Sequence, residues 1–247
     1  MSAYVILLTM NDDVQILKEI EKAAELCEKE YTRSEIFALL EIDSDLHPEK
    51  NIEKQICILK LADIRSAAEA DILIHHLTGH HGLIREACAQ KINELFKTVE
   101  YLQYFQNQKT YDSLLKAVND INPNICRLIV EILPQLQDKE YFLTKLYERL
   151  DTIFDELEKL KRSNWYTKKL FNLYWGLEAL NALCPACDEK LKSVIEQCLK
   201  IREYTIREKT AMLLCSLDET VDFVQKARQE LSKDTNYYVL RYAKQWT

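Results

Sequence analysis

Four of the chain's five histidines fall within seven residues, His75-His76-Leu77-Thr78-Gly79-His80-His81. His76 and His80 stand four apart, the spacing that puts two imidazoles on one face of a helix as a pair of metal ligands. Asp71 and Glu86 are within reach to assist from either side. Glycine between them works against that geometry, because a pair split by a turn no longer shares a face. The alternative is a polar turn between helices whose histidines titrate near pH 6.5. A second motif is Cys184-Pro185-Ala186-Cys187. A redox CxxC belongs where a strand turns into a helix, and here Leu177 to Leu183 reads as helix. A structural zinc would need two further ligands, and Cys198 is the one nearby candidate. The simpler reading has Cys184 closing one helix, Pro185 opening the next and Cys187 packing inward. No cysteine and histidine can be paired as nucleophile and base, and no phosphate-cradling or nucleophile-elbow motif is present. No metal or other cofactor is expected.

A third set of residues depends on the elements that carry it. From Ile84, apolar or small residues recur at Ala87, Cys88, Ile92 and Leu95, which are offsets of 3, 4, 8 and 11 and form one stripe of a helix. The same ruler fits from Ile125 (Leu128, Ile129, Leu133, Leu136), from Tyr166 (Leu170, Tyr174, Leu177), from Ile206 (Thr210, Leu214, Leu217) and from Val239 (Tyr242, Ala243). The starts are about forty residues apart until the last, shorter step, which is the signature of a solenoid of helical hairpins. Near the head of each such helix stands a cation: Arg85, Arg127, Lys168 and Lys169, Arg207 and Arg241. In a stack these form a basic ladder able to receive an acidic peptide or a phosphate backbone. They are equally able to pair with carboxylates of neighbouring hairpins. Trp165, on the aromatic stretch Trp165, Tyr166, Phe171, Tyr174 and Trp175, flanks the ladder, and with Asn164 and Arg162 it is a candidate for exposure.

Composition narrows the field. Three glycines and four prolines are too few for the turns of an all-β fold. A formal charge of −7 disfavours unspecific binding to nucleic acid or anionic membrane. The opening residues, MSAYVILLTMNDD, lack the basic flank, length and cleavage site of a signal peptide, and no stretch approaches a membrane span. The eight cysteines, spread through apolar helical pattern, read as reduced core residues. The expected location is cytoplasmic.

The expected helices are Asn11–Glu30 (Val14, Leu17, Ile20, Ala24, Cys27 inward), Thr32–Ile42, Glu49–Ile64 (Ile52, Ile56, Leu59, Ile64 on one side), Ser66–Thr78, and Gly82–Phe96. A broken layer over 98–118 follows, then a helix opened by Asn122-Pro123 and shortened by Pro134. A long charged helix over 138–161 and the aromatic helix 164–183 come next. Pro185–Lys200, Glu203–Leu217, Asp218–Leu231 and Thr235–Trp246 complete two more pairs. Residues 4–9 are either a helix or an extended arm.

Within this pattern, Glu203-Tyr204-Thr205-Ile206-Arg207 through Ala211 and Asp234 through Val239-Leu240-Arg241 to Ala243 resemble the second helix of HEAT-type repeats. Ile84-Arg85-Glu86-Ala87 and Asn124-Ile125-Cys126-Arg127 are weaker copies. The resemblance covers about residues 50–246. It implies an all-α, right-handed α-α superhelix of five to six helical hairpins, a single domain over 1–247 with divergent helices before residue 50. It implies a non-catalytic scaffold that binds a protein or peptide on its concave face. The HEAT-like deoxyhypusine hydroxylases hold iron on His-Glu pairs, of which this chain has none. The HEAT-like alkylation-repeat DNA glycosylases use aromatics, an Asp and an Arg along the concave face. Trp165, Trp175, Asp151 and Arg207 are of the right types, but no local motif of that family is matched. A nucleic-acid-binding or base-excising protein is the alternative.

Overall fold

The computed structural model describes residues 17, 18, 20–160, 164–243 and 245. Every regular element among them is helical, and no strand occurs. No helix among them is long and apolar enough to cross a membrane. They fall into two compact units, residues 1–92 and 93–247.

The first unit holds α1 (20–28), α2 (Arg33–Glu41), α3 (Asn51–Lys60), α4 (Ala67–Leu77) and most of α5 (Gly82–Phe96). The start of α2 is fixed by a capping box. Thr32 takes the backbone N–H of Glu35, and the Glu35 carboxylate takes that of Thr32. The Ser66 side chain caps α4 by taking the Glu69 N–H, without the return bond, and Ala70, Leu73, Ile74 and Leu77 are buried as the spacing requires. In α5 the whole ruler from Ile84 to Leu95 is buried.

Two expectations fail here. In α3 the inward face is Asn51, Lys54, Cys57 and Ile58, not the Ile52, Ile56, Leu59 stripe. Lys54 turns the helix: its fully buried ammonium donates to the Ile42 carbonyl left open at the end of α2 and to Ser44 Oγ. Leu17, and in α1 Ile20, Ala24 and Cys27, are all exposed, so that stripe faces away from the unit's core. Val14 and residues 4–9 lie outside the described residues, as do Arg162 and Trp246.

The second unit is built from α6 (Val99–Leu102), α7 (Gln108–Val118), α8 (Pro123–Ile132), α9 (Lys139–Lys159), α10 (Asn164–Leu183), α11 (Glu189–Leu199), α12 (Tyr204–Cys215), α13 (Asp222–Leu231) and α14 (Tyr237–Ala243). Helices pair in sequence, α7 with α8, α9 with α10, α11 with α12 and α13 with α14. Each also packs on the helix two along, so α7, α9, α11 and α13 make one layer and α8, α10, α12 and α14 the other. The ruler positions Ile125, Ile129, Leu133, Leu170, Leu177, Ile206, Leu214 and Val239 are all buried between them. Asn122 and Pro123 open α8, and Pro134 sits in the short 3-10 turn that ends it.

Three helices of this unit start later than expected. Asp188, not Pro185, caps α11 through its bond to the Leu191 N–H. Asp218 is spent on a turn, accepting from Thr220, and α13 begins at Asp222. Asn236 takes the N–H of Tyr238 at the head of α14. In each case a short polar side chain diverts the backbone before the periodic residues begin.

Cys184 follows α10 with φ of 48°, in the left-handed region that favours glycine. Cys184→Gly should therefore raise stability by about 1 kcal/mol, read as a higher urea midpoint with unchanged slope. A lower midpoint would mean the thiol's packing outweighs the backbone strain.

Candidate interaction surface

The histidine cluster comes out as an inter-helix turn. Helix α4 stops at Leu77, and Thr78 to His81 link it to α5. Gly79 follows the helix end without a positive φ, so its freedom is not what stops the helix. His76 points back to α2, with Nε2 2.7 Å from the Leu40 carbonyl. A carbonyl only accepts, so Nε2 carries the proton and has no lone pair for a metal. His75 packs edge-on against the His76 ring. Among the described residues no group of three His, Cys, Asp or Glu side chains is placed to hold a metal ion. Burial holds His76 below its ordinary pKa, with the neighbouring Leu40 carbonyl opposing. The folded state therefore binds this proton less readily than the unfolded chain. Stability from His76 is full above about pH 6.5 and is lost as pH falls through the lower folded value. His76→Gln should flatten that part of a urea-midpoint profile between pH 7.5 and 5.

Cys184 is exposed and Cys187 half-buried, both free thiols on the connection between α10 and α11. The segment before the motif is helical as expected, but Pro185 does not open the next helix and Cys187 is half-buried rather than packed inward.

The basic residues sort by their offset from the ruler. Arg85 and Arg207 stand one place after Ile84 and Ile206, and both fold back into the preceding turn. Arg85 donates to the carbonyls of Gly79 and His80, 3.1 and 2.8 Å away. Arg207 donates to those of Ile201, at 3.1 Å, and Arg202. The two sites repeat the same bonds to residues six and five positions back. Arg207 further grips Asp234, with Nε 2.6 Å from Oδ2. That bond holds the Asp234 carboxyl below the usual carboxylate range despite its burial.

Arg127, Lys168 and Arg241 stand two places after their starts, a further 100° round the helix, and are exposed. Arg127 pairs with Glu131 at 2.7 Å along its own helix. Arg241 pairs with Glu208 of α12 at 2.7 Å. Lys168 Nζ lies 5.0 Å from the centre of the Trp165 ring. Lys169, three places on, pairs with Glu156 of α9 at 2.5 Å. Arg85 belongs to the first unit and the rest to the second.

Trp165 is 60% exposed, as its placement beside the cations suggested. The sequence reading missed what accompanies it. Tyr204, Tyr237 and Tyr238 are exposed at 41, 69 and 49%, and they lie together rather than singly. Tyr204 of α12 and Tyr238 of α14 stack at 5.9 Å, and Tyr237 meets Tyr238 edge-on. The Arg241 guanidinium lies over Tyr238 and Tyr242. Tyr166 on α10 donates to Glu203 at the head of α12. The signal was available: Tyr204 and Tyr237 each stand two residues before a ruler start, about 200° from the inward face.

The four residues of the base-excision alternative take separate places. Asp151 is exposed on α9 in a 340 Å³ groove shared with Glu148 and Glu189 of α11. Trp175 is half-buried against Phe171 and Tyr174, and Arg207 is occupied by Asp234. No protein-family model matches this sequence, and no curated protein is similar to it. The fold defines an all-helical protein, and its function has to be argued from the surface itself.

Proposed function

We propose that this chain is a non-catalytic scaffold that binds a protein or peptide partner along the second-layer helices of a HEAT-like solenoid. The observation that carries the reading is the strip of exposed rings, Trp165, Tyr204, Tyr237 and Tyr238, at the first turns of three successive second-layer helices. Large aromatics beside cations are the side chains that dominate protein interfaces. The two-layer packing of the second unit supports the solenoid part of the reading, as do the matching back-bonds of Arg85 and Arg207. The ladder then divides into clamps, Arg85 and Arg207, and partner-facing cations, Arg127, Lys168 and Arg241.

A nucleic-acid groove would present cations without counter-charges, whereas here Lys169, Arg207 and Arg241 are matched by Glu156, Asp234 and Glu208. The protein should pass through a heparin column at moderate salt. Retention that weakens steeply with salt would shift the reading to phosphate binding.

A further inference from the structure

We propose that the groove between α11 and α13, in the layer that does not carry the aromatic strip, takes a basic amphipathic helix of a partner protein. These two helices pack side by side and border a groove of about 760 Å³. Its apolar residues are Ile195 and Leu199 of α11, Phe223 and Ala227 of α13, and Val221 just before α13. Leu199, Val221 and Phe223 are only half-buried, so apolar surface is left for a further chain to cover. The lining runs from Asp188 to Leu199 along one wall and from Val221 to Glu230 along the other, about 15 Å or three helical turns.

The charges of the walls select the occupant. Asp188 and Glu189 are already engaged, the first with the Leu191 N–H and the second with Lys192 at 2.9 Å. Glu196 on α11 and Asp222 and Glu230 on α13 are exposed and form no ion pair among the described residues. Of the lining residues only Lys226 is left to offset them, one turn from each of Asp222 and Glu230 on α13. Unbalanced acid therefore stands on both walls. An apolar floor between acidic walls fits an apolar stripe flanked on both sides by Lys or Arg, which is the pattern of an amphipathic helix. An extended segment points alternate side chains to opposite faces and would not meet the floor and both walls together. The same acid repels a phosphate backbone.

The test is fluorescence anisotropy of a labelled helical peptide of about four turns, leucine on one stripe and lysine on either side, titrated with the intact protein at low salt. Glu196→Lys/Asp222→Lys reverses one charge on each wall. Asp155→Lys/Glu158→Lys makes the same change in net charge at exposed positions of α9 outside the groove. The groove variant is expected to bind the peptide about tenfold or more weakly than the parent, and the α9 variant within about threefold of it. Glu230→Gln keeps the side chain's shape and gives a milder second reading, weaker by about threefold. Trp165→Ala/Tyr238→Ala is expected to bind as the parent does, which separates this groove from the surface of the scaffold reading. Equal loss in the two charge-reversal variants overturns the proposal, as does equally tight binding of a peptide with the same leucines scattered. Loss of binding in the aromatic variant, or no binding by the parent, also overturns it.

Discussion

Arg207→Ala should destabilise the protein by about 3–4 kcal/mol, because it leaves a buried carboxylate without its partner. The Asp234 side chain is 7% exposed and Arg207 20% exposed, so water replaces only part of what is lost, while the Asn236 N–H stays on Asp234. The same substitution removes the donor that closes the carbonyls of Ile201 and Arg202 before α12. Arg127→Ala is the contrast. Its pair with Glu131 is exposed and lies within one helix, so the change should stay within about 0.5 kcal/mol. Urea unfolding of both variants reads the difference directly. The acid limb gives a second reading. Asp234 titrates below its unfolded value near pH 4, so its stabilisation is full above about pH 4 and is lost as pH falls through the folded value. That limb should be shallower in Arg207→Ala. Equal effects of the two substitutions would mean that Arg207 is no more of a clamp than the exposed Arg127.

Gly176→Val is the second large effect. A Cβ on Gly176 would lie 2.7 Å from a methyl of Leu150, with Leu146 also close, so α9 and α10 meet here over a glycine. Valine adds two further carbons on a stiff rotamer, and the overpacking should cost about 3 kcal/mol. Gly176→Ala is expected to be nearly neutral. The Leu150 methyl is the far end of a flexible side chain, and the strain of moving it offsets the gain of about 1 kcal/mol from removing a helical glycine. Thermal unfolding separates the two variants. A valine variant as stable as the alanine one would contradict the close approach of these helices.

Helix existence was largely legible in the sequence, because burial on one stripe leaves a 3.6-residue period that survives in α4, α5, α8, α10 and α12. What was not legible follows from interactions across chain distance. Lys54 reads as a surface lysine, yet the open carbonyl of Ile42 draws it inside and rotates the buried face of α3. The start of α14 is set by which of Asp234, Thr235 and Asn236 takes the capping bond, and that of α13 by a turn at Asp218 that leaves Val221 as an uncapped N-terminus, choices that composition does not decide. The basic residues were visible as a register. A difference of one residue, about 100° on a helix, separates a half-buried cation that bonds back to the preceding turn from an exposed one, and the sequence reading merged the two. Tyr204, Tyr237 and Tyr238 were passed over because tyrosine is at home in both core and surface.

The most direct test of the binding-scaffold reading is affinity purification of the tagged protein from its own cell, run in parallel with Trp165→Ala/Tyr238→Ala and followed by mass spectrometry. The variant removes two exposed rings and should unfold at the same temperature as the parent. The account predicts a protein partner that co-purifies with the parent and is lost with the variant. A partner retained undiminished by the variant, or nucleic acid in place of a protein, would contradict it.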